Sequence, residues 1–358
     1  MAVQKIAIDD FLNMPNNFLL LDVRSPSEFA HAHISGAISL PLFSDEERKV
    51  VGTAYKQQSR EKAIKIGLTY FGPKMANMVD AVEAIIKNLA TTTTVKNTSE
   101  SIDPKSQKIV VHCWRGGMRS AAIAWLLDLY GFNIYIIIGG YKAYRKWVLA
   151  QFEKQYRFKV IGGYTGSGKT ELLPMLQTAG EAIINIEGLA HHKGSAFGSL
   201  GQLAQPSQEM FENLLAAALH TNSNANIWIE DESQRIGNVN LPALIYNSKQ
   251  LAPIYFIDIP FEQRLQYIVT GYGKFEKDKL VAAIMRIKKR LGGLETKTAI
   301  NFLIEDDIKS CFAVLLSYYD KCYLKGLHQR KNLENQLNKI ALETVNAAAN
   351  AKAILLEP

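Results

Sequence analysis

The sequence predicts an α/β protein: two domains with mostly parallel sheets, then a C-terminal helical extension. Three observations predict it. Short apolar runs alternate with helical patterns up to residue 260, two of those runs end in glycine-rich loops, and the pattern is helical from about residue 261 onward. The chain has 358 residues, 47% apolar and 21% charged, which is enough for two domains with separate cores. The formal net charge of +7 permits an acidic partner such as nucleic acid without demanding one.

The elements follow in order. "NFLLLDV" (17–23) is a buried strand, "SPSEFAHAHI" (25–34) a short helix, and "GAISLP" (36–41) a second strand closed by proline. Helical stretches come next, including "MANMVDAVEAIIKNLA" (75–90). Residues 91–108 are polar and nearly free of large apolar groups, which predicts a loop. "IVVHCW" (109–114) is a β-branched strand, "RSAAIAWLLDLYG" (119–131) a helix stopped by glycine, and "FNIYIIIGG" (132–140) a buried strand. "YKAYRKWVLAQFEKQYR" (141–157) reads as a basic, aromatic helix leading to the second domain. There, "FKVI", "EAIINIEG" (181–188), "NIWIEDES" (226–233) and "APIYFIDIP" (252–260) are strands between helical segments, as a parallel sheet requires. The expected boundaries are 1–147 for the first domain, 148–157 for a linker helix, 158–260 for the second domain and 261–358 for a basic helical extension.

The three cysteines, Cys113, Cys311 and Cys322, are odd in number and widely spaced, with no CxxC. That argues against a disulfide framework and against a zinc site, and no metal-ligating residues are predicted. "MAVQKIAIDDFLNMP" lacks the basic-then-apolar pattern of a secretory signal, and no apolar run reaches a membrane span. The expectation is a cytoplasmic protein with no membrane partner, in which a thiol stays free.

"HCWRGGMRS" (112–120) places Cys113 between a strand and a helix start. A lone cysteine there is often a small core residue. Here Gly116 and Gly117 let the backbone curl, Trp114 and the loop N–H groups line the turn, and Arg115 and Arg119 add positive charge. Such surroundings lower a thiol pKa and build an anion cradle around a nucleophile. His112 packs behind the loop and is not assigned as a base. Cys311 and Cys322 lie in an apolar helical stretch and read as structural.

"GYTGSGKT" (163–170) fits G-x4-G-K-[ST] after a strand and before a helix. Gly163, Gly166, Ser167 and Gly168 ring a di- or triphosphate with N–H groups, Lys169 reaches its terminal phosphates, and the Thr170 hydroxyl is placed for a magnesium ion. Pro174 bends the following helix. Glu230 and Asp231, with Glu232 beside them, are candidate acids to partner the loop; the bland alternative is a solvated strand end. Residues 261–340 hold fifteen Lys/Arg against nine Asp/Glu. Arg286, Lys288, Lys289 and Arg290 are candidates for a phosphate backbone, against the alternative of a solvated helix face.

The pattern His-Cys-x5-Arg-Ser serves phosphate in cysteine phosphatases and persulfide in rhodanese-type sulfurtransferases. "LDVRSPSEFAHAHISGAISLP" (21–41) and "IIIGGYKAYRKW" (136–147) resemble rhodanese segments, so the first domain resembles a rhodanese homology domain. Two departures are Ala32, where glycine is usual, and the seven-position span from Cys113 to Arg119, longer than in many sulfurtransferases. The two loops, with "IEGLAHHKGSAFG" (186–198) and "IEDESQRIG" (229–237), resemble the tRNA 2-selenouridine synthases over about residues 8–340.

That resemblance implies geranylation of a wobble 2-thiouridine by geranyl diphosphate, then replacement of S-geranyl by selenium from selenophosphate. It implies Cys113 as the selenium-carrying nucleophile, Arg115 and Arg119 at the selenophosphate, and Gly163–Thr170 at the pyrophosphate, with an apolar groove near Lys169. The partners it implies are tRNA, the two co-substrates and a selenophosphate-supplying enzyme, with no tightly bound cofactor. Two other readings stay open from the residues alone. One is a rhodanese-fold cysteine phosphatase joined to a P-loop kinase-like domain; the other is an RNA-binding P-loop ATPase with a non-catalytic rhodanese module.

Overall fold

A computed structural model describes residues 3–15, 17–93 and 107–356. The chain divides into two compact units, Met1–Ala150 and Gln151–Pro358. Most of the stretch expected as a loop over 91–108 lies outside the described residues, and residues 91–93 belong instead to the helix Met75–Thr93.

The first unit holds strands β1 (Gln4–Ile6), β2 (Phe18–Asp22), β3 (Ile38–Ser39), β4 (Lys108–His112) and β5 (Asn133–Ile137). They form one sheet in the order β1-β5-β4-β2-β3, with every pairing parallel. Central β4 carries Ile109, Val110 and Val111, all fully buried, because helices cover both faces of a parallel sheet. Its register sets Asp22 beside His112 at the carboxyl ends of β2 and β4, the end where the cysteine loop begins. The helix Met118–Tyr130 follows that loop and stops at Gly131, whose φ of +107° suits a glycine cap. The helix Pro26–His31 starts with the Glu28 carboxylate accepting from Ser25 N–H at 3.1 Å.

The helix Gly140–Gln151 corrects the expected linker helix over 148–157. It ends at Gln151, where the carbonyl accepts from the Tyr156 hydroxyl at 3.0 Å. Phe152 and Tyr156 are buried, which holds the chain off the helical path, and Arg157 opens the next strand.

In the second unit, β6 (Arg157–Gly163), β7 (Ala182–Ile184), β8 (Asn226–Glu230), β11 (Ile254–Asp258) and β12 (Leu337–Ala341) form a parallel sheet ordered β12-β11-β6-β8-β7. β9 (Arg235–Ile236) and β10 (Val239–Asn240) make a separate antiparallel ribbon. The expected strand over 181–188 is shorter, since Asn185 accepts from Gly188 N–H at 2.5 Å and caps a helix Ile186–Ala190. The expectation of helix to the chain end also needs correction. β12 lies in a segment read as helical, pairs with β11 along five residues and buries only Ile340. After it, Ala351 and Ile354 pack on Leu172, Leu173 and Leu176 of the helix that follows the P-loop.

Helices Phe261–Tyr272, Lys277–Leu291, Gly293–Ile304 and Ile308–Leu327 share one apolar core, built from Leu265, Ile284, Leu303 and Leu315 among others. Cys311 is buried in it, while Cys322 is exposed, against the expectation that both are core residues.

Candidate active sites in the two units

In the first unit, β4 delivers Cys113 to a turn that another backbone segment closes. Tyr141 N–H donates to Cys113 O at 2.8 Å, and Lys142 N–H donates to Trp114 O at 2.9 Å. The approach leaves no space for side chains. A Cβ at Gly116 would lie 2.4 Å from Ile137 O, and one at Gly140 would lie 2.2 Å from Cys113 O. Both glycines have positive φ, +62° and +55°. A Cβ at Gly117 would meet nothing within 4 Å and its φ is −103°, so of the two loop glycines expected to let the backbone curl, Gly116 is the one that requires it.

Cys113 is only 3% exposed. Burial pushes its thiol pKa up, but the Ser120 hydroxyl and N–H, the Arg119 charge and the Arg115 N–H outweigh that, and the thiol sits below its ordinary value. Sγ lies 3.4 Å from Ser120 Oγ. Arg119 is already paired, since its Nη1 donates to Glu28 Oε2 at 2.6 Å. Arg48 Nε stands 3.7 Å from the same carboxylate. Arg115 is exposed, and Trp114 is exposed with its ring 5.7 Å from Tyr141.

Behind the loop, buried Arg24 donates to Asp22 Oδ2 at 2.5 Å and to Ala32 O at 2.6 Å, with its guanidinium 3.8 Å from the Tyr141 ring centre. Ala32 has φ −166°, an extended conformation open to any residue, so alanine fits where glycine was expected. His112 is fully buried, and burial pushes its pKa down to about 4 although Asp22 opposes this. A neutral ring 3.7 Å from Asp22 supports the wall of the site and does not act as a base at neutral pH.

In the second unit, β6 runs into the phosphate-type loop. Gly163, Gly166 and Gly168 have φ of +143°, +80° and +76°, and a Cβ on Gly168 would lie 2.7 Å from Val345 Cγ1. Ser167 is buried and its hydroxyl donates to Tyr164 O at 2.7 Å. Lys169 Nζ donates to Gly163 O at 2.8 Å. Tyr323, from the helix Ile308–Leu327, accepts from Gly163 N–H at 3.0 Å and donates to Asp231 Oδ2 at 2.9 Å.

The loop opens into a cavity of about 690 Å³. Gly166–Thr170, Glu187, Lys193 and Glu232 line one part; Phe197, Leu200, Tyr272, Phe275, Phe312 and Leu315 line another. Thr170 donates to Glu187 Oε2 at 2.5 Å, so the acid that touches the loop comes from the helix after β7. Of the two acids expected there, Glu230 lies in the core, and Asp231 lines the cavity but is already paired with cations. Glu230 is fully buried, accepts from Ile186 N–H at 2.7 Å, and is pushed well above its ordinary pKa by burial and by Glu187. Asp231 accepts from Arg330 Nη2 at 2.5 Å and lies 3.7 Å from buried Lys249. Burial alone would raise the Asp231 pKa, but Lys249, Arg330 and Tyr323 hold it below the usual carboxylate value.

The basic helix Lys277–Leu291 buries Leu280, Ala283, Ile284 and Leu291 and exposes Arg286, Lys288, Lys289 and Arg290. Arg286 donates to Ala196 O at 3.3 Å, so it is partly a structural residue. The site residues that sequence reasoning missed are Glu28, Ser120, Gly140, Glu187 and Tyr323.

Fold and loops together define a rhodanese-like unit joined to a P-loop unit. Residues 7–146 match the rhodanese-like domain family, and residues 156–353 match the tRNA 2-selenouridine synthase AAA domain. The tRNA 2-selenouridine synthase of Sulfurovum sp. (strain NBC37-1) is 35% identical over 344 residues, covering 86% of this chain and 88% of its own. The one from Bdellovibrio bacteriovorus (strain ATCC 15356 / DSM 50701 / NCIMB 9529 / HD100) is 30% identical over 378 residues, covering 92% and 94%. The chain belongs to the tRNA 2-selenouridine synthase family.

Proposed function

We propose that this chain makes 2-selenouridine in tRNA in two stages, one in each unit. In the second unit the sulfur of a 2-thiouridine attacks C1 of geranyl diphosphate. The C–O bond breaks and pyrophosphate leaves onto the N–H groups and Lys169 of the P-loop. The observation that carries this reading is the cavity itself: the phosphate loop opens toward Phe197, Tyr272, Phe275 and Phe312, which suits a diphosphate with an isoprenoid tail. Thr170 and Glu187 offer two oxygens to a magnesium ion, which would need diphosphate oxygens and water for the rest of its shell.

In the first unit the Cys113 thiolate attacks the selenium of selenophosphate, the P–Se bond breaks and phosphite leaves. The resulting S–Se⁻ attacks C2 of the uridine, geranylthiolate leaves, and a small-molecule thiol reduces the remaining S–Se bond to release selenouridine and Cys113. The depressed thiol pKa supports the nucleophile, and the Arg115 N–H and Arg119 support an anion beside it. The exposed cations Lys288, Lys289 and Arg290 suit the tRNA phosphates.

The test is mass spectrometry of nucleosides from 2-thiouridine tRNA incubated with the protein, geranyl diphosphate, selenophosphate and a small-molecule thiol as reductant. The wild type should yield 2-selenouridine, and S-geranyl-2-thiouridine when selenophosphate is omitted. Cys113→Ala should stop at the S-geranyl nucleoside, and Lys169→Ala should block its formation. Selenouridine from Cys113→Ala would overturn the assignment of the nucleophile.

A further inference from the structure

Apart from Phe197, two sequence stretches remain without a role in the reaction described so far, "HKGSAFG" (192–198) and "EDES" (230–233). They meet at one wall of the second unit's cavity, facing the P-loop. Lys193, Gly194 and Ser195 line that cavity together with Gly166–Thr170 and Glu232. Gly194 has φ +65°, and a Cβ there would lie 2.2 Å from Glu232 Oε2. The carboxyl of one stretch therefore lies directly over the backbone of the other. The loop is held in shape by its own bonds. Lys193 N–H donates to Gly198 O, and Gly198 N–H donates to Ser195 O, each at 2.9 Å. Ala196 N–H donates to the Tyr319 hydroxyl at 3.2 Å, which ties the loop to the helix Ile308–Leu327.

Lys193 Nζ reaches 3.9 Å from Glu171 Oε1, on the helix that starts at Lys169. The cation of the loop thus stands at the rim of the phosphate loop. That pair is partly solvated, at 38% and 45% side-chain exposure, so it contributes little to folding and is easily exchanged for a stronger anion. A diphosphate needs such a second cation. Lys169 is one positive charge, while Glu171, Glu187 and Asp231 line the cavity with it. Lys274 lines it too, but its Nζ lies 5.8 Å from the Phe275 ring centre, toward the apolar part.

We propose that Lys193 and the loop 192–198 form the second wall of a diphosphate site, with Lys193 leaving Glu171 to bind the phosphate oxygens opposite Lys169. Glu232 is compatible with that role. Burial and Glu187 push its pKa up to about 8, while Lys169 and Lys249 oppose the rise and Asp231 adds to it. The carboxyl over Gly194 therefore takes up a proton more readily than an ordinary glutamate, which reduces its repulsion of a diphosphate. The inference rests on the reading of this cavity as a diphosphate site, but its test does not depend on geranylation.

Inorganic pyrophosphate, geranyl diphosphate and geraniol are titrated into the full chain by calorimetry. Lys193→Ala should weaken pyrophosphate and geranyl diphosphate about tenfold, the size of one charge-assisted hydrogen bond, and leave geraniol unchanged. Lys193→Arg should keep most of the affinity. Glu171→Gln, which breaks the same ion pair, should bind pyrophosphate as well as the wild type or better. A loss in Glu171→Gln equal to that in Lys193→Ala would mean that the pair is structural and overturn the proposal. So would pyrophosphate affinity in Lys193→Ala within twofold of the wild type, or no pyrophosphate binding by the wild type. Pyrophosphate binding that depends on Lys193, in a protein that does not geranylate tRNA, would refute the reaction and support the site.

Discussion

Replacing Ser120 with alanine tests how the cradle ionises Cys113. The Ser120 hydroxyl lies 3.4 Å from Sγ and donates to Gly117 O at 3.0 Å. It has one proton and, once the thiol ionises, two acceptors. Turning to the thiolate gains a bond to a charged group, ~1.5–3 kcal/mol, and gives up a neutral one of ~0.5–1.5 kcal/mol. The difference is about 1–1.5 kcal/mol, or about one pKa unit. The sign is fixed: the wild-type thiol is depressed, so the thiolate appears at lower pH than in the unfolded chain, and losing the hydroxyl moves its appearance upward. The assay is the rate of Cys113 alkylation by iodoacetamide against pH, with Cys322 and Cys311 replaced by serine. Cys322 is exposed and would otherwise react. Because Cys113 is 3% exposed, the midpoint of the profile is the quantity to compare, more than the absolute rate. A midpoint that stays put or falls in Ser120→Ala would refute this account of the thiolate.

Four further substitutions test other parts of the two sites. Gly140→Ala puts a Cβ 2.2 Å from Cys113 O at a φ of +55°, and should lower the melting temperature and abolish the low-pH phase of Cys113 alkylation. Gly117→Ala, with open space, should be the milder change in the same two measurements. Tyr323→Phe removes the hydroxyl that joins Gly163 N–H to Asp231, leaves both without that partner, and should cost ~1–3 kcal/mol in urea unfolding of the second unit. Lys288→Glu with Lys289→Glu should weaken tRNA binding and flatten its dependence on salt, by a slope of about 2 if each cation meets one phosphate; an unchanged slope would remove this helix from the RNA contact.

Both glycine loops were legible in the sequence because each is a local device. The backbone that curls around an anion carries the motif in both loops, so spacing predicts the turn, although the Cys113 turn is also closed by Gly140–Lys142. The residues that tune these loops come from elsewhere. Glu28 holds Arg119 across 91 positions and Tyr323 reaches Gly163 across 160, and nothing in local spacing reports such a pairing. Glu187 lies in the segment 186–198, but its role depends on Asn185 capping a helix that turns the acid toward Thr170. The run "EDE" after β8 attracted the assignment because acids at a strand end look available. In three dimensions Glu230 points into the core and Asp231 answers Arg330. The sequence of β12 does not announce a strand, because a five-residue edge strand that buries one side chain shows almost no alternation. Pairing with β11, rather than propensity, makes it a strand.

The position of β12 also governs the order in which the second unit is finished during synthesis. β11 leaves the ribosome early, yet its neighbour arrives only after residues 259–336 have been translated. At ~5–20 residues per second that takes about 4–16 s, during which β11 presents an unpaired edge to other nascent chains. The last strand and the helix Ala347–Leu356 then close the sheet and cover Leu172, Leu173 and Leu176. A chain that lacked β12 would keep an intact phosphate-loop motif on a sheet whose β11 edge is unpaired.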